Sequence, residues 1–284
     1  MSVKSSTVGI KAEVKNAGKK AAFSPLMETL TRIGYGARGA IYITMGALAV
    51  QVALGKGSAL ASPLGAIAEI GKQPAGMVLL WVILLGLVSY SLWGVVRALL
   101  DPLHKGNDIK GLIERGGFLA SAFGYAIMIL PTFGYITGSS LASNGSQTQK
   151  IITAIMAMPF GRWVIGVAGL VMLAAGLYHI YLGFKAGFDR QFQTYALTPK
   201  EVKLVTDVGR FGTAARGVVL AVVGGLIVLA AYRANPSQPI GMDAALATLL
   251  HQPYGIWLLG IVAVGLVAFG FYSMLSALWF RLKR

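Results

Sequence analysis

The sequence predicts an all-α integral membrane protein with six transmembrane helices. The 284 residues are 56% hydrophobic and only 12% charged, and the mean hydropathy is +0.69, which is far too apolar for an ordinary soluble domain. Six apolar runs without Asp or Glu are each long enough to cross a hydrocarbon core of about 30 Å, which takes about 20 helical residues. These runs are 34–54, 75–100, 116–138, 163–184, 211–232 and 254–280. Each run must be helical, because backbone groups in lipid have to be hydrogen-bonded within their own segment.

The distribution of basic residues predicts the orientation. With six spans, 20 of the 25 Lys and Arg residues fall on the side that holds both termini and the second and fourth loops. The positive-inside rule therefore places both termini in the cytosol. The same rule explains the formal net charge of +15, so nucleic acid is not expected as a partner; the sequence carries no nucleic-acid-binding signature.

The N-terminal segment, residues 1–30, is basic and has no continuous apolar core, so it does not read as a cleavable signal peptide. Ile10, Val14 and Ala21 alternate with lysines in a pattern that suits a helix lying on anionic lipid. A disordered basic tail fits the composition equally well, and both readings stay open.

Two landmarks divide the rest of the chain into three tandem two-helix repeats, residues 31–103, 113–188 and 208–281. The first landmark is the motif Arg-x-Gly-x-x-x-Arg-Gly, which begins at Arg32 and at Arg210; the middle copy begins at Arg115 and has Ser121 in place of the second arginine. The second landmark is a proline expected in the first turn of each even-numbered span. The three prolines are Pro74, Pro159 and Pro253, and they lie 36, 38 and 37 residues after Arg38, Ser121 and Arg216.

Short interfacial helices on the outer side are predicted before each proline, at 62–71, 149–158 and 241–251. Because every repeat has two spans, all three insert with the same orientation, which implies a pseudo-threefold axis along the membrane normal rather than inverted repeats. Small residues also recur every seven positions and form stripes that allow close approach of helix backbones in lipid. The stripes are Gly39, Gly46 and Ala53; Gly169, Gly176 and Gly183; Gly217, Gly224 and Ala231; and Ala263, Gly270 and Ala277.

These motifs resemble those of the bacterial membrane proteins catalogued as domain of unknown function 1206. The likeness rests on the arginine-glycine starts at Arg32 and Arg210 and on the Gln-Pro-x-Gly starts at Gln73 and Gln252, and it covers residues 31–281, with departures at Ser121 and Met158. It implies the fold, the topology and a bacterial cytoplasmic (inner) membrane location. It implies no activity.

The arginines of the repeat motifs are the candidate site. Arg38 and Arg216 fall about one turn inside the expected hydrocarbon boundary, where the side chains are expected to snorkel to the headgroups. A cation at a helix N-terminus opposes the helix dipole, so a bound anion would stabilise it. We therefore expect a site for lipid phosphate or another anion, with Glu28, Glu114 and Asp207 as competing ion-pair partners. Its arginines are Arg32, Arg38, Arg115, Arg210 and Arg216.

Two other residues stand out within the spans. His179 is a titratable residue near the cytosolic end of the fourth span, where a hydrogen-bonded structural or interfacial role is the ordinary interpretation and a polar functional site the alternative. With His104 and His251 it shows no metal-ligand spacing, so no metal is expected. Pro131 interrupts the third span and predicts a kink, or a cavity or gate.

No nucleotide loop, nucleophile elbow, zinc-protease helix or haem-ligand pair is present in the sequence, so neither a cofactor nor enzyme activity is expected. The leading hypothesis is a non-catalytic structural, accessory or lipid-associated membrane component, with membrane lipids, a protein partner or a second copy as partners. The alternative is a small-solute or anion transporter with a path along the pseudo-threefold axis. A hydrophilic path would favour transport, whereas a filled axis would favour the structural role.

Overall fold

The computed structural model describes residues 25–56, 62–101, 106–139, 147–185, 198–235 and 238–279, and all regular secondary structure within these ranges is α-helical. The N-terminal segment expected as a surface helix or a disordered tail lies outside the described residues up to position 24. Within these ranges, ten helices follow one another. They are α1 (Pro25–Ala53), α2 (Pro63–Gly71), α3 (Gly76–Leu100), α4 (Ile109–Ala126), α5 (Ile129–Thr137), α6 (Gln147–Met156), α7 (Gly161–Phe184), α8 (Pro199–Tyr232), α9 (Met242–Leu250) and α10 (Gly255–Trp279).

In the described part of the chain, five helical segments are long and apolar enough to cross a membrane. They are Gly76–Leu100, Gly111–Thr137, Gly161–Phe184, Pro199–Tyr232 and Gly255–Leu278. Helix α1 occupies the position of the first predicted span but is less apolar, because Arg38 and Gln51 lie within that stretch. A membrane protein built from several apolar helices therefore follows from the structure.

Two odd-numbered spans are longer than predicted. Helix α1 begins at Pro25 and α8 at Pro199, about three turns before the apolar runs at 34 and 211. Thr198 and Glu201 form a capping box at the start of α8, and Pro199 occupies the first turn. These signals start the helix in polar sequence, so a hydropathy window misses its first turns.

The third predicted span is broken near Pro131, as expected. Helix α4 ends at Ala126 and α5 begins at Ile129, so Pro131 lies in the first turn of the second piece. The Thr132 backbone N–H and its hydroxyl both donate to the Met128 carbonyl oxygen, at 3.1 and 2.7 Å. Hydrogen bonding therefore resumes at the residue after Pro131, which has no N–H to donate, and the span consists of two helical pieces.

The short helices α2, α6 and α9 confirm the three helices expected before the prolines, and each turns directly into a long one. The long helices begin at Gly76, Gly161 and Gly255, two residues after each proline, so the expectation of proline in the first helical turn is wrong. The intervening residues Ala75, Phe160 and Tyr254 have left-handed φ angles of 62, 63 and 59°. A Cβ on the following glycine would meet a carbonyl oxygen at the end of the short helix, so the turn is too tight for a side chain there.

Each small-residue stripe brings two helices into close contact. Helix α8 packs on α7, α1 packs on α10 and α4 packs on α3, so in each case the first span of one repeat lies against the second span of another. A Cβ built on Gly217 would lie 2.8 Å from the Gly176 carbonyl oxygen, and one built on Gly39 would lie 2.8 Å from the Gly270 carbonyl oxygen. The predicted close approach of backbones along these stripes is therefore present.

Pairing within a repeat differs between the outer and middle repeats. In the first and third repeats, α1 packs on α3 and α8 packs on α10. Among the described residues, the middle repeat has no comparably extensive interface between its spans α4–α5 and α7. The long helices thus follow one another in space as α4, α3, α1, α10, α8 and α7, with the middle repeat supplying both ends of the series.

Apolar side chains fill the interior of this arrangement. Met45, Leu87, Val219 and Leu266 come from the four central long helices and are at most 1% exposed. The short helices α2 and α9 add their own buried residues to the same core, including the fully buried Ile67. These side chains belong to one continuous apolar core, which also includes the rings of Tyr90 and Phe269.

Candidate functional site

The five candidate arginines separate into two groups in the structure. Arg38 and Arg216 lie in the interior of the bundle, whereas Arg32, Arg115 and Arg210 lie at helix ends. The structure thus brings together two of the five residues that the sequence placed in one anion site, and the other three have protein partners.

Arg115 and Arg210 cap the C-termini of neighbouring helices. Arg115 donates from Nε to the Ala98 carbonyl oxygen at 2.7 Å and from Nη2 to the Leu99 carbonyl oxygen at 3.3 Å, at the end of α3. Arg210 makes the equivalent pair of contacts at the end of α7, with Gly183 at 3.0 Å and Phe184 at 2.7 Å. A cation at a helix C-terminus satisfies free carbonyls and complements the helix dipole, so both arginines have a structural role.

Arg32 forms an ion pair instead. Its Nη2 lies 3.2 Å from a Glu28 carboxylate oxygen one turn earlier in α1, and both side chains are about one-third exposed. Of the three carboxylates considered as competitors for the arginines, Glu28 is thus an actual partner. An exposed pair of this kind contributes little to stability.

Arg38 lies between α1, α3 and α10 and is 9% exposed. Its guanidinium stacks over Phe269 with the Cζ atom 4.3 Å from the ring centroid, and Nη1 donates to the Tyr90 hydroxyl. Gly34 allows this arrangement, because the Tyr90 backbone passes so close that a Cβ on Gly34 would lie 3.1 Å from the Tyr90 nitrogen. The expected snorkelling of Arg38 toward the headgroups is therefore wrong: the side chain is packed inside the bundle.

Arg216 occupies the equivalent position in the third repeat and lies near the same ring. Its Cζ atom is 5.2 Å from the Phe269 centroid, and its Nε donates to the Tyr42 hydroxyl at 3.1 Å. The ring of Phe269 thus lies close to two guanidinium groups from different repeats. Cation–π contact stabilises such charges but satisfies none of their N–H donors.

His179 fixes the other side of Arg216. Its Nδ1 lies 2.8 Å from the Ala175 carbonyl oxygen, and its Nε2 lies 3.1 Å from Arg216 Nη1. A backbone carbonyl only accepts and a guanidinium only donates, so Nδ1 carries the proton and Nε2 is an acceptor. The expected hydrogen-bonded histidine is found, and it joins the arginine cluster rather than a metal site.

Arg97 is a third buried arginine that sequence reasoning placed only among the cytosolic charges. It is 6% exposed, and its Cζ atom lies 5.5 Å from the Tyr90 centroid and 4.4 Å from the Phe118 centroid. Phe118 belongs to α4, the helix that carries Ser121 where the other repeats have arginine. Arg97 therefore supplies a guanidinium beside α4, where Ser121 replaces the second arginine of the motif. Its position in the last turn of a span looked like an ordinary interfacial cation, so periodicity gave no signal for this role.

We define the arginine-aromatic cluster as Arg38, Arg97, Arg216, Tyr90, Phe269 and His179. Several buried hydrogen-bonding atoms in this cluster and beside it have no partner within the described part of the chain. Buried atoms without a partner are Arg38 Nε, Arg97 Nε and Nη2, the Tyr125 hydroxyl and the Thr213 hydroxyl. Tyr125 packs on Tyr90 with centroids 4.6 Å apart, and Thr213 lies one turn before Arg216.

No carboxylate balances the cluster among the residues that the structure describes. The ion pairs found there are Arg32–Glu28 and Lys72–Glu69, and both lie away from it. The same described residues contain no group of three or more His, Asp or Glu that could hold a metal ion. Guanidinium and hydroxyl groups of this kind donate hydrogen bonds to oxyanions.

The fold and the cluster define a helical-repeat membrane protein with a basic, aromatic interior. The family model described as Domain of Unknown Function (DUF1206) matches three consecutive stretches, residues 33–101, 116–186 and 211–279. The chain belongs to this family, which confirms the resemblance seen in the motifs and the three tandem repeats.

The chain is also similar to a bacterial protein over most of its length. The chain is 31% identical over 255 residues to a protein of Bacillus subtilis (strain 168) described as Uncharacterized protein YxxB, and the match covers 90% of this chain and 92% of the relative. No solved structure matches the chain.

Proposed function

We propose that the protein is a non-catalytic structural or accessory component of a bacterial cytoplasmic membrane, associated with anionic lipid. Its six spans form three pairs of the same orientation around a pseudo-threefold axis, with both termini in the cytosol. The proposed partners are membrane lipids, together with another protein or a second copy of this chain.

A sixth span at α1 is supported by its length and surroundings. The helix has 29 residues, which correspond to about 44 Å and exceed the thickness of a hydrocarbon core. Arg38, which lowers its hydropathy, is packed inside the bundle rather than facing lipid. Helix α1 also packs on α10 and α3, two of the helices that are apolar enough to span.

The observation that carries the structural role is the filled interior. Fully buried Met45, Ile67 and Leu266 come from α1, α2 and α10 and belong to one apolar core. A conducting path needs polar groups or water along its length, because a charged solute pays a large desolvation penalty in apolar surroundings. An interior closed by such side chains favours a structural component over a transporter.

Topology mapping tests the six-span proposal. The sequence contains no cysteine, so single substitutions such as Ser6→Cys, Ser58→Cys, Ser146→Cys and Lys283→Cys can be labelled in intact cells with an impermeant maleimide. We expect labelling at positions 58 and 146 only, with positions 6 and 283 labelled after the membrane is opened. Termini on opposite sides would contradict the proposal and indicate an odd number of spans.

A flux assay tests the structural role separately. Purified protein reconstituted into liposomes loaded with chloride or phosphate is expected to release either anion no faster than protein-free liposomes do. The alternative of an anion transporter is favoured by the guanidinium groups inside the bundle. Flux that Arg38→Gln abolishes would establish that alternative and overturn the structural role.

A further inference from the structure

We infer that the arginine-aromatic cluster is an internal binding site for one phosphate-type oxyanion, reached from the side through the middle repeat. The inference rests on the lipid association proposed above but concerns a different place. The predicted anion clamp used five motif arginines at the cytosolic interface, whereas the internal site uses Arg38, Arg216 and the additional Arg97.

The charge of the cluster is the first argument. Arg38 and Arg97 are at least nine-tenths buried, and Arg216 is half-buried beside them. Guanidinium groups stay protonated in proteins, so three like charges surround two aromatic rings. Buried charges are ordinarily paired, and no ion pair between a carboxylate and these arginines occurs among the described residues. An anion is the missing component that would balance them.

The unpartnered donors are the second argument. Arg38 retains Nε, and Arg97 retains Nε and Nη2, all buried and without an acceptor among the described residues. The hydroxyl of Tyr125, whose ring packs on Tyr90, and the hydroxyl of Thr213, one turn before Arg216, are two further buried polar atoms without a partner among the described residues. A phosphate group has several acceptor oxygens and matches the forked geometry of guanidinium donors, so it can satisfy several of these atoms at once.

The middle repeat is the side from which a ligand would reach the cluster. Helix α4 contributes Phe118 and Tyr125 to the surroundings of the cluster, and α7 contributes His179. These two spans nevertheless share no extensive interface within the described part of the chain. Separation of these two spans would expose the cluster to the surrounding lipid, so that the phosphate of a lipid headgroup could enter while its acyl chains stay outside. Free inorganic phosphate shares the same chemistry, and the experiment separates the two sources.

The experiment measures thermal unfolding of the full-length protein, purified in a neutral detergent and depleted of anionic lipid. One arm adds phosphatidylglycerol and a second arm adds inorganic phosphate. We expect phosphatidylglycerol to raise the unfolding temperature of the wild type, because a ligand that binds only the folded state stabilises it. A rise with inorganic phosphate alone would support the same site and assign it to the free anion.

The variant pair Arg38→Gln with Arg97→Gln tests the residues. Loss of two charged donors is expected to weaken the apparent affinity by about tenfold or more. Arg162→Gln with Arg233→Gln is the matched control, since it removes the same charge from exposed positions, and it should leave the affinity unchanged. If the cluster variant does not fold, displacement of bound phosphatidylglycerol from the wild type by inorganic phosphate answers the question without it.

Two results would overturn the site. One is a wild-type protein that responds to neither phosphatidylglycerol nor phosphate. The other is a folded cluster variant that responds as the wild type does. Anion flux through the protein would instead contradict only the structural role, because binding is measured here without transport.

Discussion

The outer and middle repeats have the same helices but different interfaces, and a few small residues account for the difference. Twelve residues after its landmark proline, the first repeat has Gly86 and the third has Gly265. A Cβ built on either would lie 2.2 Å from the Cβ of an alanine, Ala37 or Ala215, so the two spans of each repeat touch there. The middle repeat has Val171 at this position, and that side chain is 60% exposed.

The arginine motif changes together with this contact. The first glycine of the motif, Gly34 or Gly212, lies against the backbone of Tyr90 or Phe269 in the outer repeats, whereas Gly117 in the middle repeat has no neighbour within 4 Å of its built Cβ. The glycines alone do not close an interface. A small residue on the opposing span is also needed, because lipid offers little apolar driving force and close packing must supply the attraction.

The largest effect is expected from a bulky residue in a stripe that joins two repeats. In Gly270→Leu, the new side chain would meet the Gly39 oxygen and the Ile43 nitrogen of α1, since a Cβ alone would lie 2.8 and 2.7 Å from them. Such overpacking against backbone should lower the free energy of unfolding by about 3 kcal/mol or more. Reversible denaturation in micelles measures this, with Gly260→Leu as the control on the same helix, where the built Cβ has no neighbour within 4 Å. Equal losses in both variants would contradict the stripe.

Valine, the residue of the middle repeat at this position, should disrupt the packing of an outer repeat when it replaces glycine there. Gly86→Val places the valine of the middle repeat against Ala37, and overpacking should lower the free energy of unfolding by about 2 kcal/mol. The reverse change Val171→Gly removes an exposed side chain and should lower it by about 0.5 kcal/mol, from helix propensity alone. Denaturation of both variants under the same conditions compares them. A loss for Val171→Gly as large as that for Gly86→Val would indicate that α7 packs against α4 after all.

Helix capping provides a smaller test. Arg115→Gln and Arg210→Gln each remove two hydrogen bonds to carbonyls at a helix end, and each should lower the free energy of unfolding by about 1 to 2 kcal/mol. Arg32→Gln, which breaks an exposed ion pair, should cost about 0.5 kcal/mol or less. Thermal unfolding of the three variants ranks them. The interpretation fails if Arg32→Gln is the most damaging of the three.

The smallest effect is expected when the charge is relocated rather than removed. Combining Arg97→Leu with Ser121→Arg restores the motif arginine of the middle repeat and gives position 97 the residue of its counterpart Leu182. The number of guanidinium groups in the cluster is unchanged, so the apparent affinity for phosphatidylglycerol should change by about threefold at most. Arg97→Leu alone is the control and should bind more weakly. A double variant as weak as this control would show that Arg97 cannot be replaced from α4.

The positions of the helices and of their contact stripes were predictable from the sequence. Which helix each stripe packs against was not. Apolar runs and the landmark prolines located the long and short helices, and the seven-residue spacing of glycines located their contact stripes. The starts of α1 and α8 were missed, because the capping signal at Thr198 lies in polar sequence outside the hydropathy window.

The candidate site likewise combines residues whose positions were predictable with contacts between helices that were not. Arg210 and Arg216 belong to the same copy of the motif, yet the first caps α7 and the second lies beside Phe269. Motif position gave the register of each arginine but not the helix it would face. Arg97 could not be found from its own repeat, because its role depends on the residue missing at Ser121 in the next one.

Labelling of three equivalent alanines tests most directly whether the middle repeat is open and the outer repeats are closed. Ala37, Ala120 and Ala215 occupy the same motif position; the first and third are 5% and 6% exposed and the second is exposed. Each is changed singly to cysteine in the naturally cysteine-free chain, and the reaction with N-ethylmaleimide is followed in a mild detergent. We expect rapid labelling at Ala120→Cys, with Ala37→Cys and Ala215→Cys labelled only after unfolding. Equal rates at all three positions would contradict this expectation.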